Sequence, residues 1–391
     1  MRTRLLLLPL VALLLAGCKQ EETMTELRMR VFDVAVQQMT AMDKTLQEDQ
    51  MPRTVSPEGD LVPSDISWWC SGFYPGSLWI LYENGGDPQV KALAEKYTER
   101  LTPLLERHTD HDIGFMINCS FGHAYDATRD TAWLPVIEGA AEKLAARLSP
   151  VTGTIRSWDW IRRGKDWKYP VIIDNMMNLE LLMRAAGQFG RPDFRDVAVT
   201  HARTTAKNHF RPDYSTFHLV DYDPEDGHVR SRQTVQGYSD DSAWARGQAW
   251  GLYGYTMMYK ETGLPEFLDQ AEAIAKYIMG RLPEDGVPYW DFDDPAIPEA
   301  KRDASAGAIT ASALLDLARL TKDASLAIRC NETACRTLRT LASPEYLAEP
   351  GTNANFLLRH SVGNLPSDSE VDVPLTYADY YFLEALTRLP E

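Results

Sequence analysis

The stretch Asp241-Ser-Ala-Trp244-Ala-Arg246-Gly-Gln-Ala-Trp250-Gly251-Leu-Tyr-Gly254-Tyr-Thr-Met-Met-Tyr-Lys-Glu-Thr262 decides the fold. Its apolar residues return at three- and four-residue intervals, the period of a helix with one face turned inward. Outward from it the same pattern predicts helices over 25–48, 73–84, 88–107, 131–148, 174–189 and 193–209 on one side. On the other side it predicts 265–281, 304–321, 323–342 and 374–388. Between them lie Gly-, Pro- and Asp-rich loops, such as Asp221-Tyr-Asp-Pro-Glu-Asp-Gly227, that carry an unusual share of the Trp, His and Asp residues. Period-two alternation is scarce, which argues against large sheets. About a dozen helices with function on their connecting loops describe an all-α protein, an (α/α)6 barrel of six helical hairpins. It occupies residues 25–391 as one domain.

The chain has 391 residues and a formal net charge of −16, with hydrophobic residues at 44% and charged residues at 25%. That composition is ordinary for a globular protein, and the acidic balance excludes duplex nucleic acid as a partner, since binding it demands clustered Lys and Arg. Met1-Arg2-Thr3-Arg4 followed by the apolar run Leu5 to Leu15 reads as an export signal too short to span a bilayer. It ends in Leu15-Ala16-Gly17-Cys18, which resembles the lipobox of bacterial lipoproteins, where the Cys becomes the lipidated first residue. Residues 1–17 are then the signal peptide and 18–24 a tether, and the mature chain, without Arg2 and Arg4, carries −18. The body is expected in the cell envelope, periplasmic or cell-surface, meeting the membrane only through its lipid. Cys70, Cys119, Cys330 and Cys335 read as isolated buried thiols, and neither a CxxC pair nor HExxH points to a metal.

Four clusters carry candidate chemistry. In Asp110-His111-Asp112-Ile-Gly114-Phe115, a carboxylate beside an imidazole serves either proton chemistry or helix capping. In Ile173-Asp174-Asn-Met-Met-Asn178, Asp174 is either another cap or a buried acid whose apolar flank raises its pKa into the range of a general acid. Arg246 and Trp250 are four apart and project from one helical face; they serve as a carboxylate fork with a sugar platform, or as a cation–π pair. Ser67-Trp68-Trp69-Cys-Ser-Gly72 and Ser157-Trp158-Asp-Trp160 supply flat aromatic walls, while His218 and Gln236 are polar side chains among aromatics. Asp221 to Arg232 fails as a calcium loop, because Asp226 and Arg232 stand where Gly and Glu are required.

Taken in order, Trp69-Cys-Ser-Gly72-Phe73, His111-Asp112-Ile-Gly114-Phe115, Ile173-Asp174-Asn-Met-Met-Asn178, Trp244-Ala-Arg246-Gly-Gln-Ala-Trp250-Gly251 and Tyr377-Ala-Asp379-Tyr-Tyr-Phe-Leu-Glu384-Ala-Leu386 resemble the unsaturated glucuronyl hydrolases, glycoside hydrolase family 88. The resemblance spans about residues 25–388. It implies an (α/α)6 barrel without metal or organic cofactor that removes a 4,5-unsaturated uronic acid from the non-reducing end of lyase-generated glycosaminoglycan oligosaccharides. It places Asp174 as the acid that protonates C4 and then activates water, and Asp112 as its partner carboxylate. Trp69, His218, Gln236, Arg246 and Trp250 fall on substrate-contact positions, with Trp158 preferred over Trp160 for a stacking place. Cys70 and Cys119, beside two motifs, gain no role. Two other readings compete. One is the related unsaturated rhamnogalacturonyl hydrolases, against which the partner carboxylate Asp112 argues. The other is a non-catalytic glycan-binding surface lipoprotein, which has no use for two extra carboxylates in an anion site. The resemblance leaves oligomeric state and preferred sulfation open.

Overall fold

The computed structural model describes residues 22–160 and 164–390. The expected signal peptide and Cys18 lie outside them. The helices, in chain order, are α1 (Met24–Asp43), α2 (Phe73–Gly85), α3 (Pro88–Glu99), α4 (Ile113–Ile117), α5 (His123–Thr128) and α6 (Leu134–Ala145). Then follow α7 (Asn175–Phe189), α8 (Pro192–Asn208), α9 (Ala245–Thr262), α10 (Pro265–Arg281), α11 (Ala304–Leu320), α12 (Ala324–Leu341) and α13 (Thr376–Thr387). A π turn over Asn118–Gly122 joins α4 to α5 as one continuous rod.

Two kinds of helix alternate. In α11 the small and apolar run Ala-Ser-Ala-Gly-Ala-Ile leaves no polar face, and every residue from Ala304 to Leu317 is buried. By contrast α10 buries only Phe267, Leu268, Ala271, Ile274, Ala275 and Ile278, one stripe at helical spacing. The first kind forms an inner ring: α2 packs on the π turn and α5, α4 on α7, α7 on α9, α9 on α11, α11 on α13, and α13 returns to α2. Outside it, α3, α6, α8, α10 and α12 each lie against two successive members of the inner ring, and α1 lies against α2 and α3. The result is an (α/α)6 barrel. Three of its hairpins share a punctuation that the sequence reading overlooked: Gly86-Asp-Pro88, Gly190-Arg-Pro192 and Gly263-Leu-Pro265. The glycine ends an inner helix in the left-handed conformation, and the proline starts an outer helix at its first residue.

Short antiparallel strands dress one end. They are β1 (Met51–Val55), β2 (Leu61–Ser64), β3 (Leu148–Ser149), β4 (Thr154–Ile155), β5 (Tyr169–Ile172), β6 (Leu219–Tyr222), β7 (Val229–Gln233), β8 (Ser361–Asn364) and β9 (Ser369–Val373). β5, β6 and β7 form the largest sheet, with Ile172 opposite Leu219.

Several boundaries differ from expectation. The 25–48 helix stops at Asp43, and 88–107 stops at Glu99 before a 3-10 turn that contains Pro103. α9 begins at Ala245 rather than 241, because Trp244 is held extended against Asp291. The rod from Ile113 to Thr128 was not expected at all: it is buried on every side of its first half, so no polar face marks it as a helix. Gly114 allows a close approach, since Asn178 of α7 would lie 2.4–2.6 Å from any Cβ there. The ordered body also starts earlier than residue 25, with Thr23 capping α1 and Glu22 paired to Arg30. Cys70, Cys119 and Cys330 are buried free thiols; Cys335 is only half-buried.

Candidate active site

All six inner rods start at the same end of the barrel. Trp69 lies just ahead of α2, Asp112 and Asp174 immediately before α4 and α7, Arg246 and Tyr377 in the first turns of α9 and α13, and Asp303 caps α11. The loops at that end enclose a cavity of about 780 Å³, and Asp112, Asp174, Trp69, Trp158, Gln236 and Arg246 all line it. Residues from five separate segments of the sequence thus face one space.

The capping alternatives for both carboxylates fail. Neither Asp112 nor Asp174 makes a side-chain bond to its helix, among the described residues. It is Asp110 that closes the local turn, accepting the Asp112 backbone N–H at 3.0 Å. Asp174 is carried by the sheet: β5 runs into it, and the Ile173 N–H donates to the His218 carbonyl at 2.9 Å. This register sets His218 behind Asp174, with Nε2 3.6 Å from Oδ2. Burial pushes the Asp174 carboxyl up to about 6; the guanidinium of Arg246, its own backbone and the Trp250 indole pull the other way. Burial, then the charges of Asp110 and Asp174, hold Asp112 well above the usual carboxylate range, opposed by Asn178 and Arg147. His218 is a neutral imidazole, lowered to about 3 by burial and by Arg246.

Two expected substrate contacts lie behind the cavity wall, and a third on the wall is already bonded to the protein. Trp250 is fully buried, its ring 5.3 Å from Phe115 and 5.4 Å from Tyr381, so it forms no wall of the cavity. His218 likewise lies behind the wall rather than on it. Arg246 does reach the cavity, but its donors are engaged: one bonds Asp303 Oδ2 at 3.1 Å and the Val362 carbonyl, another the Gly363 carbonyl at 2.5 Å. It stacks on Trp244 and Tyr377, not on Trp250 four residues away. The helical i, i+4 geometry was right, and the neighbours that compete for the guanidinium were invisible in the local sequence. Trp158 and Trp160 both line the cavity as a stacked pair with centroids 4.8 Å apart. Trp158 is the buried member, while Trp160 is 54% exposed at the rim.

Sequence reasoning missed the opposite wall. Asn364, Ser369 and Glu370 of the β8–β9 hairpin line the cavity, with Arg53 from β1. Arg53 pairs with Glu370 at 2.6 Å and stacks over Trp68 at 3.9 Å. Only Trp68 carried a signal, as half of a Trp pair; Arg53 and Glu370 are 317 residues apart and look like ordinary surface charges. Among the described residues no group of three or more His, Cys, Asp or Glu is placed to hold a metal ion.

This arrangement can hold one carboxyl protonated near neutral pH beside another, in an aromatic cavity at the positive ends of six helices. The comparisons agree with it. The model of Glycosyl Hydrolase Family 88 matches residues 31–317. The unsaturated glucuronyl hydrolase of Formosa agariphila is 45% identical over 345 residues, which are 87% of this chain and 84% of that protein. The unsaturated chondroitin disaccharide hydrolase of Streptococcus pyogenes serotype M1 is 32% identical over 391 residues, 97% of each chain. A crystal structure of an unsaturated glucuronyl hydrolase specific for heparin superposes with a TM-score of 0.89 at 46% identity, covering 93% of this chain and 96% of that one.

Proposed function

Since the chain belongs to Glycosyl Hydrolase Family 88 and is a glycoside hydrolase, we propose that Asp174, with Asp112 as partner, removes a 4,5-unsaturated uronate from the non-reducing end of glycosaminoglycan oligosaccharides. The observation that carries the reading is the pair itself: one buried and one half-buried carboxyl on a single aromatic cavity, the second raised to about 6. Such an acid holds a proton to give and has little penalty in losing it near neutral pH.

The C4=C5 bond of the substrate adjoins the ring oxygen and is a vinyl ether. Asp174 delivers its proton to C4, and positive charge develops over C5 and the ring oxygen. The Asp174 carboxylate then takes a proton from water as that water bonds to C5. The hemiketal opens at the C5–oxygen bond, and the resulting hemiacetal at C1 expels the aglycone. One water is consumed, and Asp174 ends protonated as it began. Burial and its acidic neighbours push Asp112 toward its neutral form, which favours Asp174 as the group whose charge alternates and lessens the repulsion of an anionic sugar. The positive ends of the inner helices and the wall-forming Arg246 favour the uronate carboxylate. Trp69 and the Trp158–Trp160 stack offer faces for the following sugars.

Heparin-derived fragments are the first substrates to test, because the relative of 46% identity is described as specific for heparin. The deciding assay follows loss of the double-bond ultraviolet absorbance over unsaturated disaccharides from heparin, chondroitin, hyaluronan and pectin. Loss on glycosaminoglycan disaccharides is expected. Loss on pectin fragments alone would move the chain to the rhamnogalacturonyl reading, and binding without loss would make it a glycan-binding protein. We further infer, from Leu15-Ala16-Gly17-Cys18, that the enzyme works in the bacterial envelope on a lipid anchor.

A further inference from the structure

Asn178 lies one helical turn beyond Asp174 on α7, is fully buried, and has each of its polar groups directed. Its Oδ1 accepts the Phe115 backbone N–H of α4 at 2.7 Å, which settles the orientation of the amide. Its Nδ2 then lies 3.2 Å from His111 Nδ1 and donates to Asp112 Oδ1 at 3.3 Å. A donor at Nδ1 of a neutral imidazole puts the ring proton on Nε2. That nitrogen is fully buried and faces the same Asp112 Oδ1 at 3.4 Å, outside good hydrogen-bond geometry. One donor, Asn178 Nδ2, therefore bonds this oxygen of Asp112, and the His111 ring abuts it from the same side. The described residues offer no hydrogen-bond partner to the other oxygen, Oδ2, in a residue that lines the cavity. Gly114 belongs to the same construction, because only a residue without Cβ lets α4 come close enough for the Phe115 bond.

We propose that Asn178 and His111 are positioning residues that occupy Oδ1 of Asp112 from behind and leave Oδ2 as the oxygen through which this carboxyl meets Asp174 and the substrate. The inference rests on the reading of Asp112 and Asp174 as the reacting pair. A carboxyl with one oxygen held by donors carries its proton on the other, so the two side chains orient the acid toward the reaction without touching the sugar. Neither lines the cavity. The groups that face Asp112 are Asp110 and His111 ahead of α4, Asp174 and Asn178 on α7, Arg147 beyond α6, and Cys70 ahead of α2.

The test is Asn178→Asp, which keeps the shape and the acceptor for Phe115 but replaces the donor to Asp112 by an oxygen. Expected are a kcat lower by about 10- to 100-fold, the factor carried by a hydrogen bond to an ionisable group, and a KM within ~2-fold of the wild type. In parallel, the ¹³C carboxyl titration of Asp112 moves to higher pH. Should Asn178→Asp fail to fold, His111→Phe removes the imidazole that abuts Oδ1 and is read in the same way. An unchanged kcat, or a lower kcat with the Asp112 titration unmoved, overturns the proposal and leaves Asn178 a packing residue. If the wild type hydrolyses no unsaturated disaccharide, the proposed function fails, while the carboxyl titration still decides this inference.

Discussion

Asp174→Asn separates catalysis from stability at a single atom. The wild-type carboxyl moves from its ordinary 3.8 to about 6 because burial disfavours its charged form. Its pKa is thus raised in the fold, so the ionised form is penalised there. The penalty is absent below pH 3.8, grows as pH rises through 6, and is constant above. Its full size is ~3 kcal/mol at pH 8, falling to ~0.5 kcal/mol at pH 4. Asparagine keeps the shape and never ionises, and the unpartnered His218 Nε2 beside Oδ2 is available to accept the new N–H. The variant should therefore be more stable than the wild type at pH 8, by a melting shift on the order of 4 °C for a chain of this length, and nearly equal to it at pH 4. Its loss of absorbance-monitored activity should be ~10²–10⁴-fold, the usual contribution of a general acid. Melts at both pH values, alongside the rate assay, provide the check. A variant no more stable at pH 8, or stabilised equally at both pH values, would refute the buried-acid argument; retained activity would remove Asp174 from the proton transfer.

Arg246→Ala should cost ~3–5 kcal/mol of stability, because it strands the buried Asp303 carboxylate and frees the Val362 and Gly363 carbonyls of the β8–β9 hairpin. Urea unfolding measures this, and a fully stable variant whose only defect is a raised KM would restore Arg246 to a pure substrate role. Cys18→Ser should release the protein from membranes into the soluble fraction; persistent membrane association would refute the lipobox reading.

Most of the helices were legible because outer helices such as α10 keep one apolar stripe, and periodicity detects a stripe. The rod from Ile113 to Thr128 was not, since a helix buried on all sides has no contrast between faces. The Gly-x-Pro hairpin signal was there to be read at 86–88, 190–192 and 263–265. At the site, Asp112 stood out as a carboxylate beside an imidazole and Asp174 as an acid before an apolar helix start, and that much is local. What each does is not local. Asp110 takes the turn that Asp112 was equally suited to make, and only packing shows which of the two side chains is left free of its helix.

By itself the sequence determined that the chain is a barrel of helical hairpins with two carboxyls, several tryptophans and an arginine on or beside the loops at its active end. Those are statements about residue types and spacing along one chain. The tertiary structure alone decided that Trp250 and His218 stand behind Asp174, that Arg246 is engaged by Asp303 and two carbonyls, and that Arg53 and Glu370 close the opposite wall. The physical reason is the same in each case. A pKa near 6, a committed guanidinium or a dry indole depends on which distant atoms remove water and bring charge within a few ångströms, and those atoms come from segments tens to hundreds of residues apart.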